Sequence, residues 1–167
     1  GSDGAVYLAG YTYSSDFPVK IAYDPTRSGS SDGFASKFDA KGKLVYSTFI
    51  GGGAYDCVNS IAIDSKGAVF IFGQTDSKDF PVKKAYDATA NGKSDAFLTK
   101  IAPSGRSLEF STYLGGPHTD YGMDIVLDAS GSIWLYGWTM SPKFPLKDPV
   151  DSTFGGLSDA FLARMSS

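Results

Sequence analysis

The sequence predicts an all-β fold built from repeated four-stranded antiparallel units, on three observations. Short alternating runs rich in Val, Ile, Phe, Tyr and Thr are bounded by Gly, Asp, Ser and Pro, the pattern of strands that turn one face to a core. No window carries apolar residues at helical spacing for three turns. And the stretch GYTYSSDFPVK at 10–20 returns as GQTDSKDFPVK at 73–83 and as GWTMSPKFPLK at 137–147. Such a period marks an architecture of stacked units.

The equivalences run position by position, at offsets of 63 and then 64. Gly10, Gly73 and Gly137 coincide, as do Thr12, Thr75 and Thr139, and then Phe17-Pro18, Phe80-Pro81 and Phe144-Pro145. Asp24, Asp87 and Asp151 follow, then Thr26, Thr89 and Thr153, and then Gly29, Gly92 and Gly156. The slip of one residue lies in a turn, where DAKGKLVY becomes APSGRSLEF. A single domain, 1–167, is expected to hold about two and two-thirds units, at about 1–59, 60–123 and 124–167.

In chain order, AVYLAG (5–10), FASKF (34–38) and LVYSTFI (44–50) read as the second, third and fourth strands of a first unit. SIAID (60–64), AVFIFG (68–73), FLTKI (97–101) and LEFSTYL (108–114) form a complete unit. DIVLD (124–128), SIWLYG (132–137) and FLARM (161–165) supply the first three strands of another. The link Asp64-Ser-Lys-Gly67, repeated as Asp128-Ala-Ser-Gly131, suits a type I turn whose aspartate bonds nearby amides. In the third strand Phe97, Thr99 and Ile101 share one face, while Leu98 and Lys100 take the other. These are expected to be half-buried strands. Phe80 is placed to drop its ring between neighbouring sheets, and Pro81 fixes φ for the connection that follows. That connection, about 14 residues, is longer than most loops. Its recurring Phe-Pro, Asp, Thr and Gly predict an ordered excursion.

A repeated four-stranded unit that cannot bury both faces alone must stack on its neighbours, and the radial solution is a β-propeller blade. The chain also resembles the bacterial β-propeller repeat family called SBBP. The family pattern appears here as GQTDSKDFPV, SDAFLTKI, FSTYLGG and SIAIDSKG, in order and recurring. The third unit departs from it at MSPKF, which lacks the Asp before Phe-Pro. The resemblance implies seven-bladed-type propellers in secreted or cell-surface bacterial proteins, and it carries no shared catalytic residue.

Composition narrows the function. The formal charge is −3, from interspersed charges with no basic stripe to neutralise phosphates, which argues against nucleic acid. No apolar run approaches the ~18 residues of a membrane span, so membrane insertion is not expected. The first residues lack a charged leader and an apolar run, so no signal peptide is read in this chain. One cysteine, Cys57, rules out an intrachain disulfide framework.

Residues repeated in every unit are best explained by folding, so singletons are the better functional candidates. His118, the one histidine, lies in the loop GGPHTDYG near Ser111 and Asp120. No nucleophile elbow accompanies it, so it reads as an exposed loop residue and no catalytic residue is assigned. Cys57 matches no redox or nucleophile motif and reads as a buried or loop thiol. No cofactor is expected. Calcium is the one metal that the loop aspartates Asp24, Asp32, Asp56 and Asp64 suit, and turn chemistry accounts for most of them.

At the end of the second strand Tyr11 and Tyr13 become Gln74 and Asp76, then Trp138 and Met140. Tyr11, Tyr13 and Trp138 are therefore the candidate ligand-binding residues, for a glycan or a protein partner. The expected function is a non-catalytic structural or protein-interaction module of an extracellular or cell-surface protein; the alternative is a carbohydrate-binding propeller module. The strand order leaves the first unit without its first strand and the last without its fourth. Self-association, or contact with further blades, is expected through Val6 and Leu8 at one end and Phe161 and Met165 at the other.

Overall fold

Period-two alternation builds every sheet of the computed structural model, which describes residues 4–166. The first sheet holds β1 (Val6–Thr12), β2 (Asp32–Phe38) and β3 (Leu44–Ile50). The central sheet holds β4 (Asp56–Ile63), β5 (Val69–Thr75), β6 (Asp95–Ile101) and β7 (Leu108–Leu114). The third holds β8 (Asp120–Leu127), β9 (Ile133–Thr139) and β10 (Asp159–Met165). All pairs are antiparallel and join strands consecutive in the chain. No helix occurs among the described residues.

The registers repeat with the sequence. Val6 faces Phe38, Val69 faces Ile101 and Ile133 faces Met165. The turns after β4 and β8 are built as their sequences predict: Asp64 and Asp128 accept amide hydrogen bonds from two residues each. Gly67 and Gly131 then take the left-handed φ of 81° and 83° that a side chain disfavours.

Two expectations change. Strands β4 and β8 begin at Asp56 and Asp120, four residues before SIAID and DIVLD. A bulge explains this: Asn59 and Met123 stand unpaired against β5 and β9, shifting the alternation of the residues before them. The partners opposite the bulges are Gly73 and Gly137, where a Cβ would overlap the carbonyl oxygens of Cys57 and Tyr121. The central sheet is also covered on both faces rather than half-buried, since every residue of β6 except Lys100 is buried. Lys100 is kept by the Phe70 ring at 4.9 Å and by Asp64 and Glu109 at 3.4 and 3.2 Å.

The sheets stack through two cores. Val69, Ile71, Phe97 and Ile101 pack with Ala35, Tyr46 and Ile50 of the first sheet. From the opposite face, Phe70, Phe72, Leu98 and Leu114 pack with Ile125, Ile133, Leu135 and Phe161 of the third. Phe80 drops into the first core, 4.3 Å from the Phe97 ring. Its N–H donates to the Tyr113 hydroxyl at 3.0 Å, and that hydroxyl donates to the Ser77 carbonyl at 2.8 Å. Phe17 and Phe144 meet Phe34 and Phe161 in the same way, each at 4.5 Å.

The long connection is ordered. It runs back along the outer strand, bridging Lys83 to Ser111 and Asp87 to Tyr113, and Lys20 to Ser47 and Asp24 to Phe49 one unit earlier. Ile21, Lys84 and Asp148 all adopt φ of 48–49°, a conformation that side chains tolerate poorly. Its recurrence at three equivalent positions shows one construction used three times.

Candidate interaction surface

Each junction between sheets is fastened by a pair of buried aspartates. Asp56, at the start of β4, accepts hydrogen bonds from Thr75 Oγ1, from Ser77 Oγ at 2.8 Å and from the Gly52 N–H at 2.8 Å. Asp120, at the start of β8, accepts from Thr139 Oγ1, from Ser141 Oγ at 2.9 Å and from the Gly116 N–H at 2.8 Å. Across each junction stands the first residue of a β2-type strand. Asp32 accepts the Ser28 and Gly29 amides, and Asp95 the Asn91 and Gly92 amides.

The two carboxylates of a junction leave room only for glycine between them. A Cβ on Gly115 would lie 2.8 Å from both Asp120 Oδ2 and Asp95 Oδ1, and Gly51 is held likewise between Asp32 and Asp56. Burial pushes the Asp95 carboxyl up to about 6, with the nearby Asp120 and Asp87 charges adding to the shift and the two amides opposing it. Burial raises Asp56 too, against the hydrogen bonds from Thr75, Gly52 and Ser77. Sequence reading took these aspartates for turn residues. A G-G-x-x-x-D run followed by T-x-S on the next strand is the signal that was there to find.

The outer sheets each present an apolar face to solvent. Val6 and Leu8 are 52% and 51% exposed, whereas their equivalents Val69 and Ile71 are fully buried. On the third sheet Leu162 is 69% exposed, whereas its equivalent Leu98 is fully buried; Tyr136 and Val126 are exposed beside it. Of the candidate association residues, Val6 and Leu8 lie on the open side of the first sheet. Phe161 and Met165 instead turn into the second core, because alternation along β10 sends 161, 163 and 165 inward and Ala160, Leu162 and Arg164 outward. The strand itself remains at the edge of its sheet.

Residues 45–81, running from β3 through β4 and β5 to the Phe80-Pro81 pair, match the family model for SBBP, described as a beta-propeller repeat. The chain carries an SBBP-type β-propeller repeat. The matched segment spans a junction between two sheets, so the SBBP pattern covers the Asp56 clamp and the ring that fills the cleft. No curated protein matches the chain.

The candidate aromatics fall into two clusters. Tyr11 and Tyr13 meet edge to face at 5.8 Å, and Tyr11 also lies 6.0 Å from Tyr55. Trp138 is half-buried and stacked on Tyr121 at 4.3 Å. The structure does not join the two groups: Gln74 holds the equivalent position of the central sheet, where its side-chain carbonyl accepts a hydrogen bond from Asn59 at 2.8 Å.

His118 is exposed and lines a groove of about 460 Å³ with Lys93, Met140, Phe154 and Leu157. Ser111 is buried in β7, sharing a hydrogen bond with Thr99 Oγ1 at 2.8 Å and donating one to the Pro81 carbonyl at 2.6 Å. The Asp120 carboxylate is occupied by its clamp. Cys57 is buried within β4, and burial raises its thiol above the ordinary range. Among the described residues no three acidic, histidine or cysteine side chains converge on a metal-sized site.

Proposed function

We propose that the chain is a non-catalytic structural and interaction module, built of propeller blades and belonging to an extracellular or cell-surface bacterial protein. One observation carries this reading: equivalent positions are core in the central sheet and solvent-exposed in the outer two, as Ile71 against Leu8 and Leu98 against Leu162 illustrate. Apolar surface of that kind favours association, at about 25 cal/mol for each Å² removed from water. The module associates through its open faces and edges, with copies of itself or with further blades, and needs no bound metal to fold. The extracellular setting follows the family resemblance. Light scattering across a concentration series tests the association: the mass should climb above the 17.7 kDa of one chain, and Leu8→Lys should suppress the rise.

A second reading, glycan binding, is favoured by the Trp138–Tyr121 stack and by the exposed Tyr11–Tyr13 pair beside the half-buried Tyr55, since accessible rings suit sugar faces. Glycan-array signals lost on Trp138→Ala would establish it, and a blank array would remove it.

A further inference from the structure

Tyr13 and Trp138, from the two clusters of candidate aromatics, are connected by an unbroken line of contacts. Tyr13 meets Tyr11, and Tyr11 meets Tyr55. The Tyr55 hydroxyl lies against the Cys57 thiol, which donates to Asn59 Oδ1 at 3.3 Å. The Asn59 side-chain amide donates to Gln74 Oε1 at 2.8 Å and, across the junction, to the Gly122 carbonyl at 2.7 Å. Tyr121, beside Gly122 in the chain, stacks on Trp138 at 4.3 Å. The bulge makes the crossing possible: Asn59 stands outside the pairing with β5, so its side chain is turned out of the ladder and reaches both neighbours. The rings of the two clusters stay apart, and polar side chains fill the space between them.

This surface is accessible in sheets whose strands are all paired along it. Tyr13 is exposed, and so are its equivalents Asp76 and Met140, which follow β5 and β9 with β4 and β8 in place beside them. Polar atoms stand free next to the rings. Among the described residues Trp138 Nε1, Gln74 Nε2 and the Asp76 carboxylate have no hydrogen-bond partner. Stacking rings beside free donors and a free acceptor match a sugar, which has C–H faces and a rim of hydroxyls. A proline-rich peptide also stacks on rings, but its prolines have no N–H to offer Asp76. Asp76 is the one charge at the positions equivalent to Tyr11 and Tyr13, and its sign disfavours an anionic sugar. Equivalent positions on sheets packed face to face lie about 10 Å apart, so from Tyr13 to Trp138 the surface covers up to about 20 Å, more than a disaccharide spans.

We propose that this surface is a binding track for a linear, uncharged oligosaccharide of extended pyranose rings, about four or more residues long, of the kind found in cello- and chito-oligosaccharides. One end of the sugar stacks on Trp138 and Tyr121 and the other on Tyr13. Between them the Gln74 amide donates to sugar oxygens and the Asp76 carboxylate accepts from hydroxyls. The rings supply affinity, and the polar groups fix the register of the chain along the track. The proposal rests on the glycan-binding reading and narrows it to a class of sugar, a minimum length and one path across the three sheets.

The probes are cello-oligosaccharides and chito-oligosaccharides from dimer to hexamer, titrated into the full chain by isothermal calorimetry. In at least one series affinity is expected to rise from dimer to tetramer and then level. Trp138→Ala and Tyr13→Ala should each weaken hexamer binding about tenfold, as for loss of a stacked ring, and Gln74→Ala should weaken it as well, with urea midpoints confirming that the variants fold. The dimer, held on the Trp138–Tyr121 stack, should respond to Trp138→Ala and not to Tyr13→Ala. Absence of saturable binding of both series to a natively folded chain overturns the proposal, as does hexamer binding untouched by Tyr13→Ala, or tighter binding of an anionic oligogalacturonate. Affinity that is independent of length and lost in Trp138→Ala would sink the track and leave the glycan-binding reading standing. Binding of poly-L-proline that Trp138→Ala abolishes, with neither sugar series bound, would remove both.

Discussion

One phenylalanine occurs three times, in three degrees of cover, and truncating each in turn reads out how the fold is held. Phe97 is fully buried, its ring 4.3 Å from Phe80, with the first sheet packed over it. Phe34 is its equivalent in the first sheet, touching Phe17 at 4.5 Å but half-buried because among the described residues no sheet covers that face. Removing a ring from a closed core forfeits the transfer free energy and leaves a cavity, so Phe97→Ala should cost about 3–5 kcal/mol. At Phe34 only part of the transfer contribution is present and the truncated site opens to water, so a cost of about 1–2 kcal/mol follows. Phe161, 8% exposed, should fall between. Urea melts at low micromolar concentration, with the slope checked for constancy, give the three values. A Phe34→Ala cost equal to that of Phe97→Ala and independent of protein concentration would refute the claim that the first sheet's outer face is open.

Raised aspartate values give stability a sign with pH. The folded Asp95 carboxyl titrates at about 6 against an ordinary 3.8, so it favours folding fully below pH 3.8 and loses that contribution as pH rises towards about 6. Asp56 acts in the same direction. Melting temperature should therefore rise between pH 7.5 and pH 5, by the equivalent of roughly 1–3 kcal/mol for Asp95, and Asp95→Asn should flatten the profile. The depressed values at Asp128 and Asp151 matter only below that window, where their contribution is lost on acidification. His118→Ala should change stability by no more than about 0.5 kcal/mol, as for an exposed site. A panel of esters, glycosides and peptides should give background rates, and turnover lost in His118→Ala would show an active site. EGTA should leave the thermal melt unchanged; a drop restored by calcium would show that the loop aspartates bind the ion.

How much of this was legible in the sequence follows from what leaves a local trace. Ten strands and their order were readable because Val, Ile and aromatic residues alternate and the same words recur. The buried place of Phe80 was readable because Phe-Pro closes each motif. The starts of β4 and β8 were not, since the bulges at Asn59 and Met123 break the alternation where pairing begins. The burial of the central sheet on both faces escaped as well, because Lys100 reads as solvent-facing until the Phe70 ring and two carboxylates are seen around it. The aspartate clamps depend on residues about 20 apart, Asp56 with Thr75 and Ser77, and in the sequence each aspartate resembles a turn former. Phe161 was expected at the edge because β10 is terminal in its sheet, but the side to which a strand turns its rings is set by register.

The central claim is that the open faces of the outer sheets bind other blades. Native mass spectrometry of the 167-residue chain, from low to high micromolar, tests it most directly. The account predicts species heavier than the 17.7 kDa monomer that grow with concentration and recede when Leu8 or Leu162 is replaced by lysine. A well-dispersed monomer persisting at high micromolar concentration would contradict it.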